Sequence, residues 1–230
     1  MEQSHLLEGE LKMHSYKAAI FDLDGTLVDS YRAWERAFCV ELKNHGLLIS
    51  KEEFVAVYKM TDAQTRDFLE DKIRASQLKV NIEQAYDTLF KSMEYQYEHS
   101  VLPKPGAVAF VEALYQKGIP LCVATLTPDN LAEKVLERIG LIPFLDFVIT
   151  GDHVGKSKKF PDIYIEASGR LGYAIGETAV FEDSFTAIKT ADKAGFIVYG
   201  VHDEHQGYDF NDAIPYTQER IFDWTEFHKK

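Results

Sequence analysis

KAAIFDLDGTLVDS, Lys17 to Ser30, is a short apolar run that ends abruptly in acid. Ala18 to Phe21 has the length and bounding of a buried strand. Side chains alternate between the faces of a strand, so Asp22 and Asp24 project one way and Leu23 the other. Two carboxylates side by side at the end of an apolar strand repel each other unless a cation or a shared proton relieves them. Gly25 permits a sharp turn, after which Thr26-Leu27-Val28 returns to apolar character. An acidic turn after a strand would account for DxDG by itself, because Asp and Gly are common there. The longer string, with Thr26, two apolar residues, Asp29 and Ser30, is far more specific.

Working outward, the chain has 230 residues, enough for one large domain or two modest ones. Hydrophobic residues make up 46% and charged residues 27%, an ordinary soluble balance. No apolar run approaches the ~20 residues that span a bilayer, and Met1-Glu2-Gln3-Ser4 lacks the apolar segment of a secretory signal. Cys39 and Cys122 both sit among apolar neighbours and read as buried free thiols of a cytoplasmic protein. A net charge of −12 argues against nucleic acid or an anionic membrane as partner. The same charge means that an anionic substrate needs local positive charge, from lysine or a metal.

Residues 1–15 show no periodicity and read as a loosely docked extension, with Met13 an alternative start. After Ser30 the period becomes helical. Trp34, Ala37, Phe38 and Leu42 share a face, and Gly46 closes the run. Ser50-x-x-Glu53, Thr61-x-x-Gln64 and Asn81-x-x-Gln84 resemble capping boxes that open three further amphipathic helices. Residues 32–98 are therefore expected to form a small all-helical domain, bounded by Val101 to Pro105. From Pro105 onward strands and helices alternate. Pro120–Ala124, Phe147–Thr150, Ala179–Phe181 and Phe196–Val201 read as strands, each separated by a helix, with a last helix expected near Tyr216 to Phe227. The pattern implies an α/β core, 16–31 and 99–230, built on a doubly wound parallel sheet. Such sheets carry their sites at the carboxyl ends of the strands, where Asp22, Asp24, Thr125 and Asp183 would converge.

Four motifs, in order and spacing, resemble those of the haloacid dehalogenase superfamily of phosphohydrolases. They are Asp22-Leu23-Asp24-Gly25-Thr26, the strand-end Thr125, Lys158-Lys159-Phe160-Pro161-Asp162, and Phe181-Glu182-Asp183-Ser184. The helical segment resembles the family's mobile cap, in the branch of β-phosphoglucomutase and phosphoglycolate phosphatase. The resemblance implies that Asp22 is a nucleophile forming an aspartyl-phosphate, and that Asp24 is the acid and then the base. It further implies Mg²⁺ held by Asp22, Asp24 (through its carbonyl) and Asp183, with Glu182 just behind them. Thr125 would donate to the phosphoryl group, and a lysine would neutralise it. Lys158, four residues before Asp162, is favoured for that role; Lys156 is the alternative, because Lys159 stands where the family has proline. Thr26, Leu126 and Thr127 are the expected substrate contacts.

The implied activity is hydrolysis of a small phosphate monoester, a sugar-phosphate-like metabolite, by a monomer or weak homodimer. A carboxylate at Asp24 excludes dehalogenase and phosphonatase subclasses and leaves phosphatase or sugar phosphomutase. Related phosphomutases carry a histidine where this chain has Trp34 and an arginine near Asp62, which favours the phosphatase. A non-catalytic phosphate-binding module is a third reading. Gly155-Lys156-Ser157 is not a P-loop, since the required earlier glycine is Thr150. His202 to His205 reads as a solvated loop rather than a metal site. Arg66, Lys72, Arg74 and Lys79 of the cap are candidates to contact substrate, against the plainer reading of solvated helix faces.

Overall fold

The computed structural model describes residues 16–58, 60, 62–76 and 80–227. The expectations for residues 1–15, for Lys79 and for the capping box at Thr61 lie outside them. Its centre is β1, Ala18–Phe21, in which all four residues are buried. Two-residue strands β2 (Val28–Asp29) and β3 (Leu102–Pro103) pair antiparallel where the chain leaves and re-enters the core. The remaining strands are β4 (Leu121–Thr125), β5 (Phe147–Thr150), β6 (Thr178–Glu182), β7 (Ile197–Val201) and β8 (Glu219–Ile221). They form one sheet in the order β5-β4-β1-β6-β7-β8, parallel throughout. The chain builds outward from β1 to β4 and β5, then returns to the other side of β1 for β6, β7 and β8. β1 is therefore the switch point of the winding, and the crevice at its carboxyl end is the expected ligand site.

Alternation along β1 feeds two cores. Ala19 and Phe21 pack on one face with Val123, Phe181, Phe110, Leu131 and Val135. Ile20 packs on the other with Cys122, Val180, Ile163, Tyr164 and Ile188. Helices Ala107–Gln116, Asp129–Arg138 and Trp224–Phe227 cover the first face, and Asp162–Leu171 and Phe185–Ala194 the second. Burial on both faces explains why the strand reads as a continuous apolar run. Strand register also aligns Phe21, Phe181 and Tyr199 into an aromatic ladder, with ring centroids 4.5 and 4.9 Å apart. Such stacks add about 0.5–1.5 kcal/mol each beyond the area they bury.

The cap comprises a helical run from Tyr31 to Asn44, then Lys51–Val57, Asp62–Ser76 and Ile82–His99. Ala37–Glu41 within the first run forms a π turn. Ser50 and Asn81 both make the reciprocal capping boxes, with Glu53 and Gln84. Trp34 is half-buried in the cap cluster beside Phe38. Cys122 is buried and Cys39 only half-buried; both are free thiols. Among the described residues no helix is long and apolar enough to cross a membrane.

Two expectations near the C-terminus are corrected. A single helix over Tyr216 to Phe227 does not form. A 3-10 segment, Phe210–Tyr216, precedes β8, and helix returns only at Trp224–Phe227. Ile221 completes the sheet edge beside Val201, and Asp223 accepts the amide of Thr225 at 2.7 Å, restarting the helix there. The second correction is His202 to His205, which is not a solvated loop. Only Glu204 is exposed; the Asp203 side chain is 6% exposed and paired with Lys104 at 3.0 Å. His205 lies flat on Tyr31 of the cap, centroids 3.5 Å apart. These partners are about a hundred residues or more away in sequence, so the local pattern could not show them.

Candidate active site

Beyond β1 the chain turns within five residues. The Leu23 carbonyl accepts the amides of Thr26, Leu27 and Val28, and the Gly25 amide bonds to the Val28 carbonyl. Gly25 sits at φ +81°, and a Cβ there would lie 2.1 Å from Oδ2 of Asp183. Both the backbone and the neighbouring carboxylate demand glycine.

Asp22, Glu182 and Asp183, at the carboxyl ends of β1 and β6, are buried with carboxylate oxygens within 4.8 Å of one another. Lys158 enters between them and donates to Asp22 and to Glu182. Lys156 instead pairs with Asp162 at the surface, and Lys159 is exposed. Glu182 is fully engaged: Oε1 accepts from Lys158 and from Tyr164 at 2.6 Å, while Oε2 accepts the amides of Asp183 and Ser184 at 3.1 Å. It therefore holds the lysine rather than offering a free oxygen. Burial, reinforced by Glu182, pushes Asp22 up to about 7 against the pull of Lys158. Burial also raises Asp183, helped by Asp22, Glu182 and Asp203. For Lys158 burial works the other way, but Asp22 and Glu182 outweigh it and keep the ammonium above the ordinary lysine range.

Asp183 is fixed from three sides. Thr26 donates to Oδ1 at 3.2 Å, Gln206 to Oδ2 at 2.6 Å, and the Tyr208 hydroxyl to the carbonyl at 3.0 Å. Thr26 is fully buried and thus faces Asp183. Asp24 turns to the opposite wall, where Tyr97 donates to Oδ1 and Thr127 to Oδ2. Thr125, at the end of β4, accepts the Thr127 amide at 3.1 Å on its hydroxyl oxygen, leaving its proton to donate elsewhere. Leu126 is 46% exposed beside it. Tyr58 of the cap packs against Tyr31 and Phe54. Burial, then Asp24, Asp183, Asp203 and Asp22, raise its phenol well above the ordinary range.

The crevice thus gathers five carboxylates, Asp22, Asp24, Glu182, Asp183 and Asp203, around the ammonium groups of Lys158 and Lys104. Hard oxygen donors in electrostatic excess fit Mg²⁺, with Asp22 and Asp183 the carboxylates able to hold it. Sequence reasoning missed Tyr97, Tyr164, Asp203, Gln206 and Tyr208. Tyr97 was hidden in an aromatic stripe that also serves the cap core, Asp203 lies in the His202 to His205 segment read as a solvated loop, and the others carry no local signal.

Arg66, Lys72 and Arg74 do not join the site. Arg66 pairs with Glu83 and Glu70, Lys72 with Glu53, and Arg74 with Asp71.

A family model of haloacid dehalogenase-like hydrolases matches residues 16–195. The validoxylamine A 7'-phosphate phosphatase of Streptomyces hygroscopicus subsp. limoneus is 28% identical over 194 residues, covering 83% of this chain and 87% of that one. Hexitol phosphatase A of Escherichia coli (strain K12) is 31% identical over 188 residues, covering 81% and 83%. CbbY from Rhodobacter sphaeroides, solved in complex with phosphate, shares the fold with a TM-score of 0.74 at 21% identity, covering 92% and 96%. The chain belongs to the haloacid dehalogenase-like hydrolases and is a phosphohydrolase with a helical cap.

Proposed function

We propose that this enzyme is a Mg²⁺-dependent phosphatase of small, sugar-phosphate-like monoesters, acting through an aspartyl-phosphate on Asp22. The observation that carries the reading is the placement of Lys158 against Asp22 and Glu182, beside Asp183 and at the switch point of the sheet. The metal would be held by Asp22, Asp183 and the carbonyl of Asp24, and would supply charge to the phosphoryl oxygens.

The remaining chemistry belongs to the chain. Lys158 and the Thr125 hydroxyl bind phosphoryl oxygens and orient the phosphorus toward an Asp22 oxygen. As Asp22 attacks, the ester P–O bond breaks and Asp24 gives its proton to the departing alkoxide. Asp24, now a carboxylate, takes a proton from water as that water attacks the aspartyl-phosphate. Inorganic phosphate leaves and Asp22 is restored. The cap, residues 32–98, closes over the 16–31 and 99–230 core and excludes bulk water, with Tyr58 and Leu126 against the leaving group. Carbohydrate-derived phosphates head the substrate list because two relatives are a hexitol phosphatase and a phosphatase of phosphorylated validoxylamine A.

Trp34 supports hydrolysis over phosphomutase chemistry. Its indole packs in the cap cluster and has no proton to exchange at neutral pH. The test is phosphate release from a panel of sugar and polyol phosphates with Mg²⁺ and with excess chelator. Turnover that survives the chelator, or isomerised sugar phosphate without free phosphate, overturns the reading.

A further inference from the structure

Asp24 is gripped by two hydroxyls of unequal freedom. Tyr97 donates to Oδ1 from a side chain with no solvent exposure, its oxygen fixed by a rigid ring. Thr127 donates to Oδ2 from a position 7% exposed, and its hydroxyl can rotate to another acceptor. Both are mounted on the same support. Thr127 lies one residue before Pro128, the N-cap of helix Asp129–Arg138, while Tyr97 lies in the last turns of Ile82–His99, which that helix clamps. Lys134 bridges Glu94 and Glu98 at 2.7 and 3.4 Å, and Arg138 donates to the carbonyls of Tyr97, at 3.1 Å, and Val101. Tyr97 is thus tied to the core although its helix begins in the cap.

We propose that Tyr97 is the positioning residue of proton transfer: it pins Oδ1 of Asp24 so that Oδ2, once Thr127 releases it, faces the leaving oxygen. This rests on the acid–base role given to Asp24 above. The proton moves from Oδ2 to the ester oxygen as the P–O bond breaks, and Oδ2 recovers one from the attacking water. The phenol keeps its own proton throughout, consistent with burial and the Asp24 charge raising it well above the ordinary tyrosine range.

The test compares alkyl phosphate, phenyl phosphate and 2,4-dinitrophenyl phosphate, through kcat/KM, which reports steps up to departure of the alcohol. Tyr97→Phe keeps ring and volume but removes the donor. It is expected to lower kcat/KM about 10–100-fold on the alkyl ester, whose leaving group needs the proton, and less than about threefold on the dinitrophenyl ester. Asp24→Asn in the same series is expected to give a steeper version of that dependence. An equal loss on all three esters in Tyr97→Phe, or no loss, overturns the positioning role while a steep Asp24→Asn series leaves the acid–base reading standing. A flat Asp24→Asn series overturns that reading and the Tyr97 role with it.

Discussion

The two walls of the crevice are built in opposite ways. The sheet wall is ionic and buried: Asp22, Lys158, Glu182 and Asp183 are each at most 8% exposed, and Lys158 ties Asp22 to Glu182. The cap wall is aromatic. Tyr31 stacks on His205, Tyr58 packs on Tyr31 and Tyr97 donates to Asp24, while Arg66, Lys72 and Arg74 pair with carboxylates of the cap itself. A buried ion network tolerates almost no change, because removing one partner strands the others in low dielectric. An aromatic wall can be reshaped with milder loss. The sheet wall therefore suits the invariant part of a substrate, its phosphoryl group, and the cap wall the variable part.

The contrast predicts a gradient of effects. Asp22→Asn is expected to abolish phosphate release altogether, because it removes the proposed nucleophile while keeping the size of the side chain. Measurable turnover in that variant would break the comparison at its foundation. Lys158→Ala follows, at about 10²–10³-fold in kcat, the loss typical of one preorganised electrostatic donor. Lys159→Ala, an exposed neighbour, is expected to be silent in the same assay. If Lys156→Ala were the crippling change, the sheet wall would have to be redrawn. Gly25→Ala belongs with the large effects, since its methyl meets Asp183 at 2.1 Å and its backbone is left-handed.

Folding stability tests the sheet wall more gently. Asp22 is raised to about 7 from an ordinary value of 3.8, and Asp183 is raised as well. A raised carboxylate favours its protonated form in the folded state, so its stabilising contribution is present below the ordinary value and lost as pH climbs through the folded one. In the chelated protein Asp22 withdraws stability across the window from about pH 4 to about pH 7, and Asp183 withdraws it in the same direction as pH rises above about 4. Mg²⁺ favours the ionised pair, so the rise in Tm on adding it is expected to be larger at about pH 8 than at about pH 5. A metal-dependent rise that is equal at both values would show that these carboxylates are not the ones that titrate against the ion.

The same contrast explains what could be read from sequence. β1 and β4 to β7 announce themselves because strands buried on both faces are short apolar runs, and turn residues punctuate them. Asp22, Thr125 and Asp183 announce themselves because each ends or follows such a run, and a parallel sheet brings those ends together; Lys158 is legible only through its spacing of four residues before Asp162 in the motif it resembles. β8 was hidden because Glu219 and Arg220 make an edge strand look like a polar helix face. Tyr97 was hidden because one aromatic in a stripe is indistinguishable from its neighbours until the helix is placed. Gln206 and Tyr208 reach Asp183 from an irregular loop whose path depends on Lys104 and Tyr31. No periodicity records a contact of that kind.

The smallest expected effect lies on the outer face of the cap. Arg66, Lys72 and Arg74 are each satisfied by carboxylates on the cap helices, and the Arg66 guanidinium also lies 5.6 Å over the Tyr86 ring. Exposed pairs of this kind contribute little, since solvent screens them and long side chains lose freedom in forming them. None has charge to spare for a distal group of the substrate. Replacing any one with alanine is therefore expected to change kcat/KM by less than about twofold, on neutral and on carboxylated phosphate esters alike. Tyr58→Ala, by contrast, is expected to alter the ranking of substrates, because it opens the wall facing the leaving group. If Arg66→Ala selectively weakened turnover of esters carrying a second negative charge, the cap would be recognising charge after all. The division between an ionic sheet wall and an aromatic cap wall would then fail where the substrate is chosen.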